Sequence, residues 1–146
     1  MRRKSLKKAA CPIARALDVI GDWWSLLIVR DAGRGTTRFS DFQKSLGVSK
    51  NILARRLRAL VDHGILELVP ASDGSAYQEY RISDKGRSLY PVLVSLALWG
   101  QQNAPTGGPH SVMVDRAKGE PVRRVDVIAS DGRVLRSGET MMVRRA

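Results

Sequence analysis

The chain has 146 residues, 43% hydrophobic and 27% charged, a balance that fits one globular domain with a small appendage and excludes wholesale disorder. Lys and Arg number 25 against 14 Asp and Glu, and the net charge of +11 draws such a chain to polyanions. A single cysteine, Cys11, excludes an intramolecular disulfide framework and a Cys-based zinc site, and His63 and His110 lack metal-ligand spacing, so neither metal nor cofactor is expected.

In chain order, residues 1–9 form a basic arm. Arg15 and Asp18 interrupt the stretch behind it, which argues against a signal peptide. No apolar run approaches the ~18 residues of a membrane span, and the expected compartment is the cytoplasm. Ile13, Leu17 and Ile20 recur at helical spacing, with Pro12 in the first turn and Gly21 as the stop. Asp22 reads as the cap of a second helix, Trp23 to Asp31, apolar nearly all round and therefore central; Trp23 and Trp24 read as core anchors rather than a pocket wall. Ser40 and Gln43 form a capping box for a short third helix that ends at Gly47. Ser49 caps a fourth helix, Lys50 to His63, whose buried stripe is Leu53, Leu57, Leu60 and Val61. A short helix, a tight turn at Gly47-Val48-Ser49 and a longer helix with a basic outer face is a helix-turn-helix pattern.

Two alternating segments follow, Ile65 to Pro70 and Ala76 to Ser83, joined by a turn containing Asp73-Gly74. A hairpin in this place is a wing. A fifth helix is expected from Ser83 or Asp84 to about Gln102, apolar on more than one face, as a helix shared between two subunits would be. Residues 104–109 read as a linker, and residues 110–146 as a β-hairpin-like extension around Asp131-Gly132. The expected fold is mainly α with a small β-wing. It is a winged helix-turn-helix over residues 10–103, dimeric through its N-terminal and fifth helices, with a short C-terminal β appendage.

The charge is not spread evenly. Residues 1–63 net +9, residues 64–105 net −1 and residues 106–146 net +3. The polyanion surface is therefore expected in the N-terminal half, shared between the arm and the helix-turn-helix. Asn pairs with adenine, and Arg or Lys with guanine, so Ser49, Lys50, Asn51 and Arg55 are the candidates for base edges. Arg38 and Arg58, with the helix N-terminus at Ser40, suit phosphates, which position without specifying. Arg56 is left out of the site, as a residue packed beside the core or paired with a carboxylate. His63 and His110 are read as solvent-facing.

Cys11 opens a helix, where the dipole and the nearby Lys7 and Lys8 favour the thiolate. It is either a sensing thiol or a small buried hydrophobe. An enzyme built on Cys11 lacks a convincing His or Asp partner, so no catalytic activity is expected. The rival to duplex DNA is RNA, but aromatics make up only 5% of the chain, leaving no evident stacking platform.

Cys11-Pro12, Gly21-Asp22-Trp23-Trp24, Arg38-Phe39-Ser40-Asp41-Phe42 and Glu79-Tyr80-Arg81-Ile82-Ser83-Asp84-Lys85-Gly86 occur in order, and over about residues 10–102 the chain resembles the HxlR branch of winged-helix regulators, relatives of MarR. The resemblance implies a homodimeric, cytoplasmic regulator that binds double-stranded DNA, represses or activates nearby genes, and in some members responds to electrophiles or a small-molecule effector. It places Cys11 where some relatives sense oxidants. Two departures stand out. The wing tip, residues 71–75, has no Lys or Arg, and Arg81 lies on the returning strand. The extension has no cysteine, so the zinc of Cys-rich relatives does not carry over.

Overall fold

The computed structural model describes residues 3–146; Met1 and Arg2 of the expected arm lie outside them. The elements are α1 (Pro12–Ile20), α2 (Ser25–Gly33), α3 (Phe39–Leu46), α4 (Lys50–Asp62), β1 (Leu66–Pro70), β2 (Gln78–Ile82), α5 (Asp84–Arg87), α6 (Tyr90–Asn103), β3 (Val127–Ile128) and β4 (Val134–Leu135). Two compact units divide the chain, Met1–Tyr90 and Pro91–Ala146. No helix among the described residues is long and apolar enough to cross a membrane.

The first unit is a winged helix-turn-helix. Ile28, Val29 and Ala32 of α2 meet a core that includes Phe42 of α3, Leu53, Leu57 and Leu60 of α4, and Ile65 and Leu66 at the start of the wing. Full burial of such a side chain contributes about 1.5–3 kcal/mol. Strands β1 and β2 pair antiparallel, Leu66 opposite Ile82 and Leu68 opposite Tyr80. The Tyr80 amide also donates to the Thr37 carbonyl at 2.8 Å, which fastens the wing to the segment leading into α3. At the far end, Ser83 Oγ lies 2.5 Å from the Gly64 carbonyl and 2.9 Å from that of Ile65, and accepts the Gly86 amide at 3.0 Å.

Four expectations need correction. Helix α2 starts at Ser25 rather than Trp23, because Asp22 Oδ1 accepts the amides of both Trp24 and Ser25 at 2.9 Å and folds the two tryptophans into a turn before the helix. That turn throws Trp23 outward, 86% exposed, so it is no core anchor. The capping box at Ser40 does not form. The Phe42 amide already donates to the Arg38 carbonyl at 3.1 Å, so the helix starts before Ser40, and the Gln43 side chain turns instead to the Val48 carbonyl at 3.4 Å. The fifth helix is two helices, α5 and α6. Pro91 lacks an amide proton and suits only a first helical turn, so the chain breaks at Ser88-Leu89 and restarts at Tyr90.

In the second unit, Val94 of α6 is buried while Val92, Leu96 and Trp99 are exposed. The Met113 amide donates to Gln101 Oε1 at 2.9 Å, and a bridge joins Val114 to Pro121. Strands β3 and β4 form a hairpin, Val127 opposite Leu135, closed by the turn at Asp131-Gly132. Each strand of the hairpin is only two residues long, and Val127, Ile128 and Val134 stay exposed.

Candidate nucleic-acid interface

Helix α4 is positioned at its start by a turn that needs glycine. Gly47 has φ +64°, and its amide donates to the Gln43 carbonyl at 2.9 Å, closing α3. Ser49 is extended, and its hydroxyl oxygen accepts the Ile52 amide at 3.4 Å. From there the helix splits by face. Leu53, Leu57 and Leu60 are buried. Ser49, Lys50, Asn51, Arg55 and Arg58 are all exposed. The partially buried Arg56 points elsewhere: its Nε sits 3.4 Å from Asp22 Oδ1, an ion-pair contact without hydrogen-bond alignment. Burial pushes the Asp22 carboxyl up, but the Ser25 hydroxyl, the Trp24 and Ser25 amides and the Arg56 charge outweigh it and hold it below the usual range.

Arg38 immediately precedes α3 with extended backbone. Its guanidinium Nη2 donates to Asp73 Oδ2 at the wing tip, and its Nε lies 3.7 Å from Glu79 Oε1. The hydrogen bond to Asp73, and the charges of Asp73 and Glu79, push the Arg38 pKa further up. Asp73 is held low chiefly by the Ser75 amide and hydroxyl, then by Arg38. Ser40 is exposed in the first turn of α3. The sequence reading missed both carboxylate partners. The available signal was the net negative charge of residues 64–105 beside an isolated arginine.

Cys11 is exposed and is the residue before α1, with extended backbone and Pro12 at the first helical position. The arm folds back onto α1: Arg3 Nη2 donates to the Leu17 carbonyl at 2.5 Å, and the Leu6 amide donates to Asp18 Oδ1 at 2.8 Å. Beside it is an open cleft of about 580 Å³ whose wall includes Leu17, Trp23, Trp24 and Arg56, so the tryptophans do form a pocket wall. Among the described residues no group of His, Cys, Asp or Glu could hold a metal ion. His63 and His110 are exposed.

Residues 19–107 match the family model of the HxlR-like helix-turn-helix, which covers both helices of the turn and the wing. The chain belongs to the HxlR-like helix-turn-helix family. This is a family of transcriptional regulators rather than enzymes. An uncharacterized HTH-type transcriptional regulator of Mycobacterium bovis is 39% identical over 93 residues, 64% of this chain and 59% of that protein, so the match spans less than two thirds of that relative. Among solved structures, the transcription-factor candidate PA1607 is 53% identical with a TM-score of 0.88, covering 97% of this chain and all of the other (100%). The HxlR-like fold is shared too by the redox regulator HypR in its oxidized form. HypR is 28% identical with a TM-score of 0.60, covering 66% of this chain and 100% of HypR.

Proposed function

We propose that this chain is a cytoplasmic regulator that binds a specific, pseudo-palindromic double-stranded DNA site as a homodimer. The observation that carries the reading is the division of α4: Lys50, Asn51, Arg55 and Arg58 are exposed while Leu53, Leu57 and Leu60 are buried. In this reading Ser49, Lys50, Asn51 and Arg55 meet base edges in the major groove, while Arg58, Ser40 and Arg38 serve phosphates. Two helices support the dimer. On α1, Ile13 is 57% and Leu17 48% exposed, and on α6 Leu96 and Trp99 are exposed, apolar side chains that a second subunit would cover.

Modulation enters at Cys11. Its thiol is exposed and has no second cysteine in the chain, so oxidation leads to a Cys11–Cys11 disulfide between subunits or to a mixed disulfide with a small thiol. The oxidized HypR structure, whose fold this chain shares, supports a redox response, and the cleft beside Trp23 offers a place for a small effector.

The test is selection of bound duplexes from a random pool, with and without an electrophile. The expected result is a two-fold related motif with half-sites about one helical turn apart, depleted by the electrophile. Recovery of no motif, or stronger retention of single-stranded RNA than of duplex DNA in competition, overturns the reading.

A further inference from the structure

Arg38 has a competitor built into the protein. Asp73 Oδ1 accepts the Ser75 amide at 2.9 Å, which leaves Oδ2 aimed at the guanidinium. Glu79 is buried and accepts the Ser72 amide at 3.3 Å and the Ser72 hydroxyl at 3.1 Å. Both carboxylates are thus oriented by the wing itself and do not depend on Arg38 for their placement. A carboxylate and a DNA phosphate offer the same acceptor geometry to an arginine fork. Side chains of Arg38 and Asp73 are 41% and 50% exposed, so the pair is solvated and exchanges partners at small cost. The wing tip, residues 71–75, carries no Lys or Arg to take over a phosphate.

We infer that Asp73 restrains DNA binding: it occupies Arg38 as a phosphate would, so Arg38 reaches the DNA backbone only when the wing tip releases it. The inference rests on the DNA-binding reading above and adds a regulated contact to it. A phosphate contact carries no sequence information, so release of Arg38 strengthens binding to operator and random duplex alike.

The experiment is a salt titration of duplex affinity for the full chain and three variants: Asp73→Asn, Arg38→Gln and the double variant. Each phosphate neutralised adds ~0.9 to the slope of log affinity against log salt. The Asp73→Asn slope is expected to steepen by up to that amount, at most about a 3-fold greater loss of affinity between 50 and 200 mM salt. Arg38→Gln flattens the slope because its phosphate contact is lost, and the double variant matches Arg38→Gln, since Asp73 acts only through Arg38. Two results overturn the inference: an unchanged Asp73→Asn slope, or a gain that survives in the Arg38→Gln background (loss of a negative charge alone). Thermal melts accompany each variant; Asp73→Ser, which keeps a short acceptor for the Ser75 amide, repeats the test where the asparagine variant melts early. A wild-type chain with no salt-dependent affinity for duplex DNA fails the DNA-binding reading, whereas one that binds steeply but ignores Asp73→Asn fails only the wing inference.

Discussion

Asp22 and Arg56 form an ion pair, Oδ1 to Nε at 3.4 Å, and it draws one arginine of the cluster Arg55-Arg56-Leu57-Arg58 away from the exposed face of α4. The same carboxylate accepts the Trp24 and Ser25 amides. Leaving those amides without their acceptor costs about 1–3 kcal/mol, so Asp22→Ala is expected to lower the melting temperature without altering DNA sequence preference. Asp22→Asn keeps an acceptor and removes the charge. The folded state holds this carboxyl below the unfolded value of about 3.9. The charge therefore stabilises fully above that pH, and its contribution is lost as pH falls through the folded-state value. Melting curves should show a gap between wild type and Asp22→Asn that is constant near neutrality and narrows below about pH 4.

Neighbouring arginines on α4 should then behave differently. Arg55→Ala is expected to cost about 1–3 kcal/mol on the selected operator and much less on random duplex, because a base contact is lost. Arg56→Ala should leave the ratio of operator to random affinity unchanged and lower the melting temperature instead. Anisotropy titrations on both duplexes, with melts in parallel, separate the two. Equal losses on both duplexes for Arg55→Ala would remove it from base recognition.

Much of this arrangement was legible in the sequence because it follows from periodicity and turn chemistry. The α4 stripe, the Ser49 cap, the Gly47 turn and the wing hairpin all rest on local signals that core packing reinforces. The placement of Arg56 also followed from its position next to the buried stripe. What local pattern could not supply was the effect of one side chain on a neighbouring segment. Asp22 bound two amides and turned Trp23 outward, where an unbroken helix would have buried it. The Arg38–Asp73 pair spans 35 residues, a separation at which no spacing rule operates. The same holds for Asp31, buried in α2 and bonded by the Ser45 hydroxyl of α3 at 2.6 Å.

Gly86 is required by close approach. A Cβ there would lie 2.4 Å from the Ile65 carbonyl oxygen and 2.7 Å from the Ile82 side chain. The backbone atom has little room to retreat, since Ser83 already bonds the carbonyls of Gly64 and Ile65. Gly86→Ala is expected to destabilise by about 1–3 kcal/mol, as overpacking does. Hydrogen exchange should show added opening in β1 and β2, which Ser83 anchors to the end of α4. A variant as stable as wild type would mean that the Ser83–Gly86 turn moves freely.

Self-association is the next expectation. Leu17 on α1 and Leu96 and Trp99 on α6 are exposed in the single chain. Leu17→Glu and Leu96→Glu are each expected to convert a dimer to a monomer in sedimentation equilibrium, with little loss of helical circular dichroism. Operator affinity should fall steeply, since a two-fold site then meets one half of its partner. A wild-type chain that sediments as a monomer and binds the operator at full strength would exclude the dimer.

The thiol of Cys11 supplies the last prediction. It is exposed at the start of α1, the helix whose Ile13 and Leu17 are offered to the dimer, so a covalent change there acts close to the proposed subunit contact. Oxidation joins two Cys11 residues or adds a small thiol, and either changes how α1 can pack. With wild-type protein, peroxide or a quinone should shift operator affinity, and a reductant should reverse the peroxide effect. Non-reducing electrophoresis distinguishes the cross-linked dimer from the mixed disulfide. Cys11→Ser should bind the operator as tightly as the reduced wild type and ignore the oxidant. If wild type and Cys11→Ser respond alike, or neither responds, Cys11 is not the switch.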